Sequence, residues 1–238
     1  MSVSEVKLNG HLAVAEGTMA FRFSKPEGFA FAAGQAVELE LIDAPAEDGQ
    51  SRRAFSLVSA PFEQELAVAT RMRDSAFKRA LKALPEGASV RIDGPFGDLM
   101  LDNIGRPEVL IAGGIGITPF MSVLRQAAHD RSPRRLFLAY SNRRPEDAAF
   151  LDELQLLERR NERFRLMATM TDMRKSARAW DGETGYIDAE KLRHLVGDFA
   201  APIFYLVGPP TMVAAMHWML EDAGIAEDQI RSEEFFGY

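Results

Sequence analysis

In the first part of the chain, up to about residue 103, hydrophobic and polar positions alternate over short runs. Val37, Leu39 and Leu41 alternate with two glutamates, and the same two-residue period returns at 66–70 and at 90–92. This alternation is typical of strands that bury one face. Because glycine and proline separate the runs, the pattern predicts an antiparallel barrel or sandwich.

One helix is expected to interrupt these strands. Ser75 is suited to the N-cap position, because its hydroxyl can accept a hydrogen bond from an amide of the first turn. Phe77, Leu81 and Leu84 then fall on one face of the helix. Since Pro85 cannot continue a helix, the helix is predicted to end just before it.

From about residue 107 the pattern changes to apolar strands followed by amphipathic helices. The predicted strands are 109–112, 136–140, 164–170 and 203–207. This order predicts a parallel sheet that helices cover on both faces. The predicted fold class is therefore β plus α/β, with an antiparallel domain at 1–103 and a doubly wound parallel-sheet domain at 104–238.

Composition and charge exclude several classes of function. The 28 Lys and Arg residues against 35 Asp and Glu residues give a net charge of −7, which argues against a nucleic-acid partner. Without cysteine the chain can form no disulfide, iron–sulfur cluster or thiolate nucleophile, and its four scattered histidines predict no metal site. The N-terminus lacks a signal-peptide pattern and no apolar run approaches about 18 residues. We therefore expect a cytoplasmic monomer without membrane contact.

Two glycine-containing turns follow predicted strands of the second domain and indicate a ligand site. Glycines let the backbone approach a ligand closely, and the helix N-terminus behind each turn favours a phosphate. The first and fourth strands of a doubly wound sheet can be neighbours, so we expect both turns to face one crevice and to bind a dinucleotide. Pro119 stands where the full fingerprint has a third glycine, and tight turns without a ligand are the alternative. The candidate residues are Gly113, Gly114, Gly116, Thr118, Pro119, Gly208, Pro209 and Met212.

The segment after strand 136–140 bears on the choice between the two nicotinamide dinucleotides. An acidic residue usually binds the ribose 2′-hydroxyl of NADH at this place in the fold. Here the chain has Ser141, Arg143 and Arg144, which suit the 2′-phosphate of NADPH better. NADPH is therefore favoured over NADH, and a solvated loop with surface arginines is the alternative.

Several motifs occur in an order that resembles the ferredoxin–NADP reductase superfamily. They begin with Phe31-x-x-Gly34-Gln35 and Arg53-x-Phe55-Ser56-x-x-Ser59, and continue with Gly94-Pro95-Phe96-Gly97, the two glycine turns and the C-terminal EEFFGY. The resemblance covers nearly the whole chain. It implies a flavin-binding antiparallel barrel of six strands followed by a nicotinamide-dinucleotide domain. Many members of the superfamily also carry a fused ferredoxin domain, which we do not expect here because 238 residues without cysteine leave no room for one.

The resemblance also implies roles for individual residues of the barrel. Arg53 matches the arginine that pairs with the flavin phosphate, and Phe55 matches an aromatic residue, usually tyrosine, that packs against the isoalloxazine. Ser56 matches the serine that hydrogen-bonds flavin N5. Ser75 opens the helix whose amides hold the flavin diphosphate in family members, with Arg71 and Arg73 nearby. The glycines implied at the cofactor are Gly94 and Gly97.

Further roles are implied near the nicotinamide. Thr118 matches the threonine close to the contact between nicotinamide and flavin, and Val207 replaces a cysteine that the family often has there. Glu233 or Glu234 matches a catalytic glutamate that can deliver a proton. The C-terminal aromatic residues that either pack near the flavin or anchor the last strand are Phe235, Phe236 and Tyr238.

The function implied by the resemblance is electron transfer from a nicotinamide to a second protein. NAD(P)H donates hydride to N5 of FAD, which is favoured over FMN, and electrons leave singly for a separate ferredoxin, flavodoxin or oxygenase component. One alternative is a flavin or ferric-chelate reductase with a small-molecule acceptor, and another is a non-catalytic electron-transfer or regulatory subunit. A basic patch for an acidic partner is one interpretation of Arg52, Arg53, Lys78, Arg79 and Lys82. A solvated helix face is the alternative for Lys78, Arg79 and Lys82, and it is favoured.

Overall fold

The computed structural model describes residues 2–42, 51–101, 105–199 and 201–235. The strands are β1 (Ser2–Ala15), β2 (Thr18–Ser24), β3 (Ala36–Leu41), β4 (Arg52–Ser56), β5 (Glu65–Arg71), β6 (Ser89–Phe96), β7 (Glu108–Gly113), β8 (Leu136–Asn142), β9 (Phe164–Met170), β10 (Glu183–Thr184), β11 (Ile203–Gly208) and β12 (Ile230–Glu234). The helices are α1 (Ala76–Ala83), α2 (Thr118–His129), α3 (Leu151–Arg160), α4 (Ala189–Val196) and α5 (Pro210–Asp222). Over the described ranges, no helix combines the length and the apolar character that crossing a bilayer requires.

The first six strands form one antiparallel sheet in the order β4-β3-β6-β1-β2-β5. A bridge between Leu57 and Val68 joins the chain just after β4 to β5, and the Val58 amide donates to the Ala67 carbonyl at 2.7 Å. These contacts link the two end strands, so the sheet closes on itself. The six-stranded antiparallel barrel is thereby confirmed.

A compact apolar core fills the barrel, and α1 contributes to it. Phe21, Phe23 and Leu39 are almost completely buried, as are Phe77 and Leu81 of the helix. The Ser75 hydroxyl accepts a hydrogen bond from the Lys78 amide at 3.2 Å, which confirms the predicted N-cap.

The remaining strands form a parallel sheet in the order β10-β9-β8-β7-β11-β12. Every residue of β7 and β11 is buried, as expected for central strands that are covered on both faces. Helices α4 and α5 contribute Leu192, Val213 and Leu220 to a core with Phe204 of β11. Strand β7 pairs with β8 on one side and with β11 on the other, so the strand order reverses between β7 and β11, as predicted.

The chain divides into two compact units that do not follow the sequence order throughout. One contains Met1–Met100 with Thr118–Gln126, and the other contains Leu101–Ile117 with Ala127–Tyr238. Within the first unit, the Arg125 guanidinium donates to the Val58 carbonyl at 3.1 Å, and the Gln126 side chain accepts from the Phe62 amide at 3.3 Å. The predicted boundary between 103 and 104 lies outside the described residues and stays a prediction.

Candidate functional site

Strand β3, which lies between β4 and β6, brings two of the predicted cofactor motifs to one end of the barrel. Ala36 pairs with Ser56 of β4 on one side and with Phe96 of β6 on the other. Ser56 therefore lies two strands away from the glycine turn at the end of β6. A Cβ on Gly94 would lie 3.0 Å from a Val37 methyl carbon, so this glycine permits close packing of the strands.

Ser56 is buried, with only 6% of its surface exposed, and its hydroxyl makes no hydrogen bond with any residue in the described ranges. The hydroxyl oxygen is not one of the buried side-chain atoms that lack a partner, so it is accessible at this strand end and could bind a ligand. By contrast, the fully buried Ser59 accepts a hydrogen bond from the Ala67 amide at 2.9 Å. The second serine of the motif therefore helps to close the barrel.

A group of cationic side chains meets at the start of α1. The Arg53 guanidinium lies 5.6 Å from the centre of the Phe77 ring, and the ring of Phe55 lies 6.0 Å from the same ring. Burial lowers the pKa of Lys78, and the charges of Arg73 and Arg53 lower it further. These three cations form what we call the α1 cation cluster: Arg53, Arg73 and Lys78.

Lys78 was not among the cofactor-binding residues predicted from the sequence, and its place in the first turn of α1, three residues after the Ser75 N-cap, makes it a further candidate. Two other arginines of the predicted basic patch are paired with carboxylates in the structure. Arg52 pairs with Glu40 at 3.1 Å, and Arg79 pairs with Asp74, so these charges are locally neutralised.

The two glycine turns meet backbone to backbone in the second unit. A Cβ on Gly208 would lie 3.2 Å from the Gly113 Cα, and one on Gly116 would lie 2.4 Å from the Val207 carbonyl oxygen. Met212 closes over the first turn, with its sulfur 2.3 Å from where a Gly113 Cβ would be. The predicted convergence of the turns is thus present, and these glycines are required for packing as well as suited to a ligand.

The short 3₁₀ helix Gly114–Ile117 leads directly into α2. Thr118 is the first residue of that helix and is buried, with Pro119 in its first turn. Proline is well tolerated there because its missing N–H has no partner in a helix at that position. This segment is the predicted phosphate site, and the assignment stays a prediction.

The candidate residues after β8 fall into two groups. Arg144 donates to both carboxylate oxygens of Asp147, at 3.0 and 2.9 Å, and to the Lys175 carbonyl, so its charge is already engaged. Arg143 is exposed and Ser141 is half-buried. This geometry favours Arg143 over Arg144 as a residue that could meet a 2′-phosphate.

Two further polar residues lie near the end of β8 and were not identified as site candidates from the sequence. Asn142 is buried, and neither atom of its side-chain amide has a hydrogen-bond partner among the residues described. Glu146 accepts hydrogen bonds from the Ser176 hydroxyl and the Ala177 and Arg178 amides. Desolvation alone would raise the pKa of Glu146, but a hydrogen bond from its own backbone amide, together with these hydrogen bonds, lowers it to about 2. Through these hydrogen bonds, Glu146 connects the loop after β9 to the loop after β8.

The last strand places one of the two candidate glutamates in a partly buried position. In β12, Glu233 pairs with Val207 and Glu234 pairs with Gly208, and the Phe235 amide donates to the Gly208 carbonyl at 2.9 Å. Burial raises the pKa of Glu233, whereas Glu234 is exposed. Glu233 is therefore the stronger candidate for a proton donor. Phe236 and Tyr238 lie outside the described residues.

Comparison with known proteins identifies relatives for both units. Residues 110–217 match the family model described as the oxidoreductase NAD-binding domain. The chain is 30% identical over 227 residues to ferredoxin–NADP reductase B of Sorangium cellulosum, covering 91% of this chain and 90% of that protein. It is 28% identical to a component of the Na⁺-translocating NADH-quinone reductase of Pseudoalteromonas atlantica, over 80% of this chain but only half of that protein.

Solved structures share the fold. A ferredoxin–NADP⁺ reductase from Neisseria gonorrhoeae, solved with bound FAD and NADP, superimposes with a TM-score of 0.83 at 25% identity, covering 98% of this chain and 99% of that one. The FAD/NAD-binding domain of a Vibrio cholerae nitric oxide dioxygenase superimposes with a TM-score of 0.85 at 20% identity, covering 97% and 98%. The second likeness is evidence for the fold alone.

Proposed function

The chain belongs to the ferredoxin–NADP reductase family, and from this premise we propose that it oxidises NADPH or NADH through bound FAD and passes electrons singly to a separate redox protein. It is an NAD(P)H-dependent flavoenzyme. The observation that carries the proposal is the 30% identity to a ferredoxin–NADP reductase across nine-tenths of both chains, which includes the barrel and the parallel sheet.

The donor set at the end of the barrel fits FAD. The α1 cation cluster offers three positive charges to a diphosphate, and the Ser56 hydroxyl has no hydrogen-bond partner within the described ranges. Arg53 and Arg73 would hold the diphosphate, and the partly buried Phe55 would pack against the ring system. When bound, the flavin accepts two electrons and releases them one at a time. Ser56 would orient the ring at N5, which keeps the acceptor atom aligned for transfer.

The meeting point of the glycine turns supports nicotinamide binding in the second unit. Gly113 and Gly208 let the backbone approach a dinucleotide closely, and the N-terminus of α2 behind the first turn favours its phosphates. Val207 is buried at this point and presents an apolar surface where many relatives have cysteine. A thiol is therefore unnecessary for the activity that we propose.

Glu233 is proposed to hold the proton of the reaction. We expect Glu233→Gln to lower turnover and to raise Tm at about pH 7. Burial raises the pKa of Glu233, so its contribution to stability is present below the ordinary carboxyl pKa and is lost as the pH rises through the raised value. Glutamine does not ionise, so the gain in Tm should disappear near about pH 4.

Thermal melts of wild type and Glu233→Gln at both pH values check this expectation. Glu234→Gln is the matched control for stability, because Glu234 is exposed and its substitution should leave the pH dependence of Tm unchanged. A Glu233→Gln protein that melts below wild type at neutral pH would contradict the assignment.

The preference for NADPH is proposed to depend on Arg143. We expect Arg143→Ala to lower kcat/KM for NADPH by roughly 10- to 100-fold, the effect of losing one charge-assisted hydrogen bond, and to leave the value for NADH almost unchanged. Arg144→Ala removes the pair with Asp147 and should affect both nucleotides alike. Steady-state kinetics with both nucleotides make the test, and equal losses for Arg143→Ala would count against it.

One experiment tests the function as a whole. The purified protein is reconstituted with FAD, and its turnover is measured with NADPH and NADH against ferredoxin, flavodoxin, ferric chelate and a dye. We expect faster turnover with a one-electron protein acceptor than with the ferric chelate. Turnover with the chelate alone would favour the small-molecule reductase. Failure to bind FAD or FMN after reconstitution would contradict the enzyme assignment.

A further inference from the structure

The chain that follows Ser56 is buried and hydrogen-bonded into the barrel wall. We call residues 57–63 the 57–63 segment. Its Val58 amide donates to the Ala67 carbonyl at 2.7 Å, and both Val58 and Ser59 are almost completely buried. Because Val58 is only two residues from Ser56, whatever holds the Val58 backbone also helps to place the Ser56 hydroxyl.

The carbonyl of Val58 is bound by helix α2. The Arg125 guanidinium donates to it at 3.1 Å, and the Arg125 side chain is only 19% exposed. Buried carbonyls are almost always hydrogen-bonded, and a hydrogen bond from a charged donor is stronger than one from a neutral donor. The same guanidinium nitrogen lies 3.5 Å from a Glu63 carboxylate oxygen that accepts the Ala60 amide at 2.9 Å. Arg125 therefore contacts the 57–63 segment near both of its ends.

Helix α2 also begins with a residue that the sequence analysis placed at the nicotinamide. Thr118 is the first residue of α2, and Arg125 follows it by seven residues. Residues seven apart lie on the same face of a helix, about 10 Å from each other along its axis. The part of α2 from Thr118 to Gln126 belongs to the same compact unit as the barrel. One helix thus contains both the predicted nicotinamide contact and the donor that holds the Val58 carbonyl.

We propose that Arg125 is a positioning residue for hydride transfer, which fixes Ser56 relative to Thr118 through the Val58 carbonyl. The inference rests on the proposed function for the reaction itself, in which hydride leaves NAD(P)H with both electrons, NAD(P)⁺ is released and the flavin is reduced. Arg125 acts through the backbone of the 57–63 segment. Because transfer depends steeply on the alignment of the reacting atoms, losing this hydrogen bond should affect the rate more than the binding of either cofactor.

The variant Arg125→Met removes every donor and retains an apolar side chain of similar length. We expect it to slow the reduction of bound flavin roughly tenfold in stopped flow, with FAD affinity almost unchanged. Arg125→Lys keeps a cationic donor and should recover most of the rate. Gln126→Met is the matched control, because Gln126 is the next residue of α2 and accepts the Phe62 amide of the same segment at 3.3 Å.

A merely structural role predicts a different result. Both methionine variants would then melt at a lower temperature and reduce bound flavin at the rate of wild type. Equal slowing by Arg125→Met and Gln126→Met, or a wild-type rate in Arg125→Met, would overturn the proposal. Arg125→Gln, with a shorter and uncharged donor, is measured in the same way if Arg125→Met does not fold, and a wild-type rate in that variant would also overturn it.

A double variant tests whether Arg125 acts through Ser56. If it does, adding Arg125→Met to Ser56→Ala should slow flavin reduction by less than about twofold beyond Ser56→Ala alone, because the two substitutions remove one shared effect. Losses that multiply would show that Arg125 acts by another route, and would overturn the proposal.

A further readout needs neither flavin nor NAD(P)H. Amide hydrogen exchange of the flavin-free full chain is followed by mass spectrometry of peptides that cover the 57–63 segment. Exchange should be faster in Arg125→Met than in wild type or Arg125→Lys, since the segment opens more often without its donor. Unchanged exchange in Arg125→Met would overturn the inference. Faster exchange in a protein that has no reductase activity would contradict only the proposed function.

Discussion

Replacing Ser56 with alanine is expected to slow the reduction of bound flavin by NAD(P)H about 10- to 100-fold, the effect of removing a preorganised hydrogen bond at a reacting atom. The affinity for FAD should change far less, because we propose that the α1 cation cluster, and not this hydroxyl, holds the diphosphate. Stopped-flow recording of the loss of oxidised-flavin absorbance measures the rate, and fluorescence titration measures the affinity.

Ser59→Ala is the matched control, since it removes a hydroxyl three residues further along the same motif. The Ser59 hydroxyl accepts the Ala67 amide in the barrel wall, so its loss should lower Tm and leave the reduction rate per bound flavin unchanged. Equal rates for Ser56→Ala and wild type would reject Ser56 as the partner of N5. If Ser59→Ala also slowed the reduction of bound flavin, the motif would act through the barrel wall.

The second large effect is expected from Gly116→Ala, which should reduce stability by about 2 kcal/mol, or about 4–8 °C in Tm. The added Cβ would lie 2.4 Å from the Val207 carbonyl oxygen, and a backbone atom of a central strand cannot move aside cheaply. The same shift would separate the two glycine turns and weaken dinucleotide binding. Thermal melts and titration with NADPH measure the two effects.

Gly113→Ala provides the comparison for this prediction. Its Cβ would meet the Met212 sulfur, the end of a flexible side chain, as well as the ring of Pro209. Adding Met212→Ala should therefore recover part of the stability that Gly113→Ala loses. No truncation of a side chain should rescue Gly116→Ala, because its clash is with the backbone. A Gly116→Ala protein with the Tm of wild type would contradict the packing role.

The elements predicted from hydrophobic periodicity agree with the structure, because the burial of apolar side chains determines them. Strands β7 and β11 are buried on both faces, so their continuous apolar runs were sufficient evidence for a parallel sheet. The N-cap at Ser75 was equally predictable, since it depends on one local hydrogen bond. Local rules therefore predicted these elements.

The side chains of the site were harder to predict, because their partners are distant in sequence. Arg144 looked available for a phosphate, but Asp147 and the Lys175 carbonyl engage it. The sequence suggested that Lys78 is exposed to solvent. In the structure, Arg53 of strand β4 lies against Phe77, the residue that precedes Lys78 in α1. A charged residue in sequence shows no sign of its neighbours, so only the tertiary structure separates a binding cation from a neutralised one.

The attachment of α2 has a consequence for recombining this protein with its relatives. Arg125 and Gln126 are hydrogen-bonded to Val58 and Phe62, respectively. A Cβ on Gly34 would lie 3.7 Å from a methyl carbon of Val123. A chimera spliced at the loop before β7 would join the barrel of one parent to the α2 of another and would mismatch these contacts. The unit that contains the barrel is discontinuous in sequence. A chimera should therefore take Thr118–Gln126 from the same parent as the barrel.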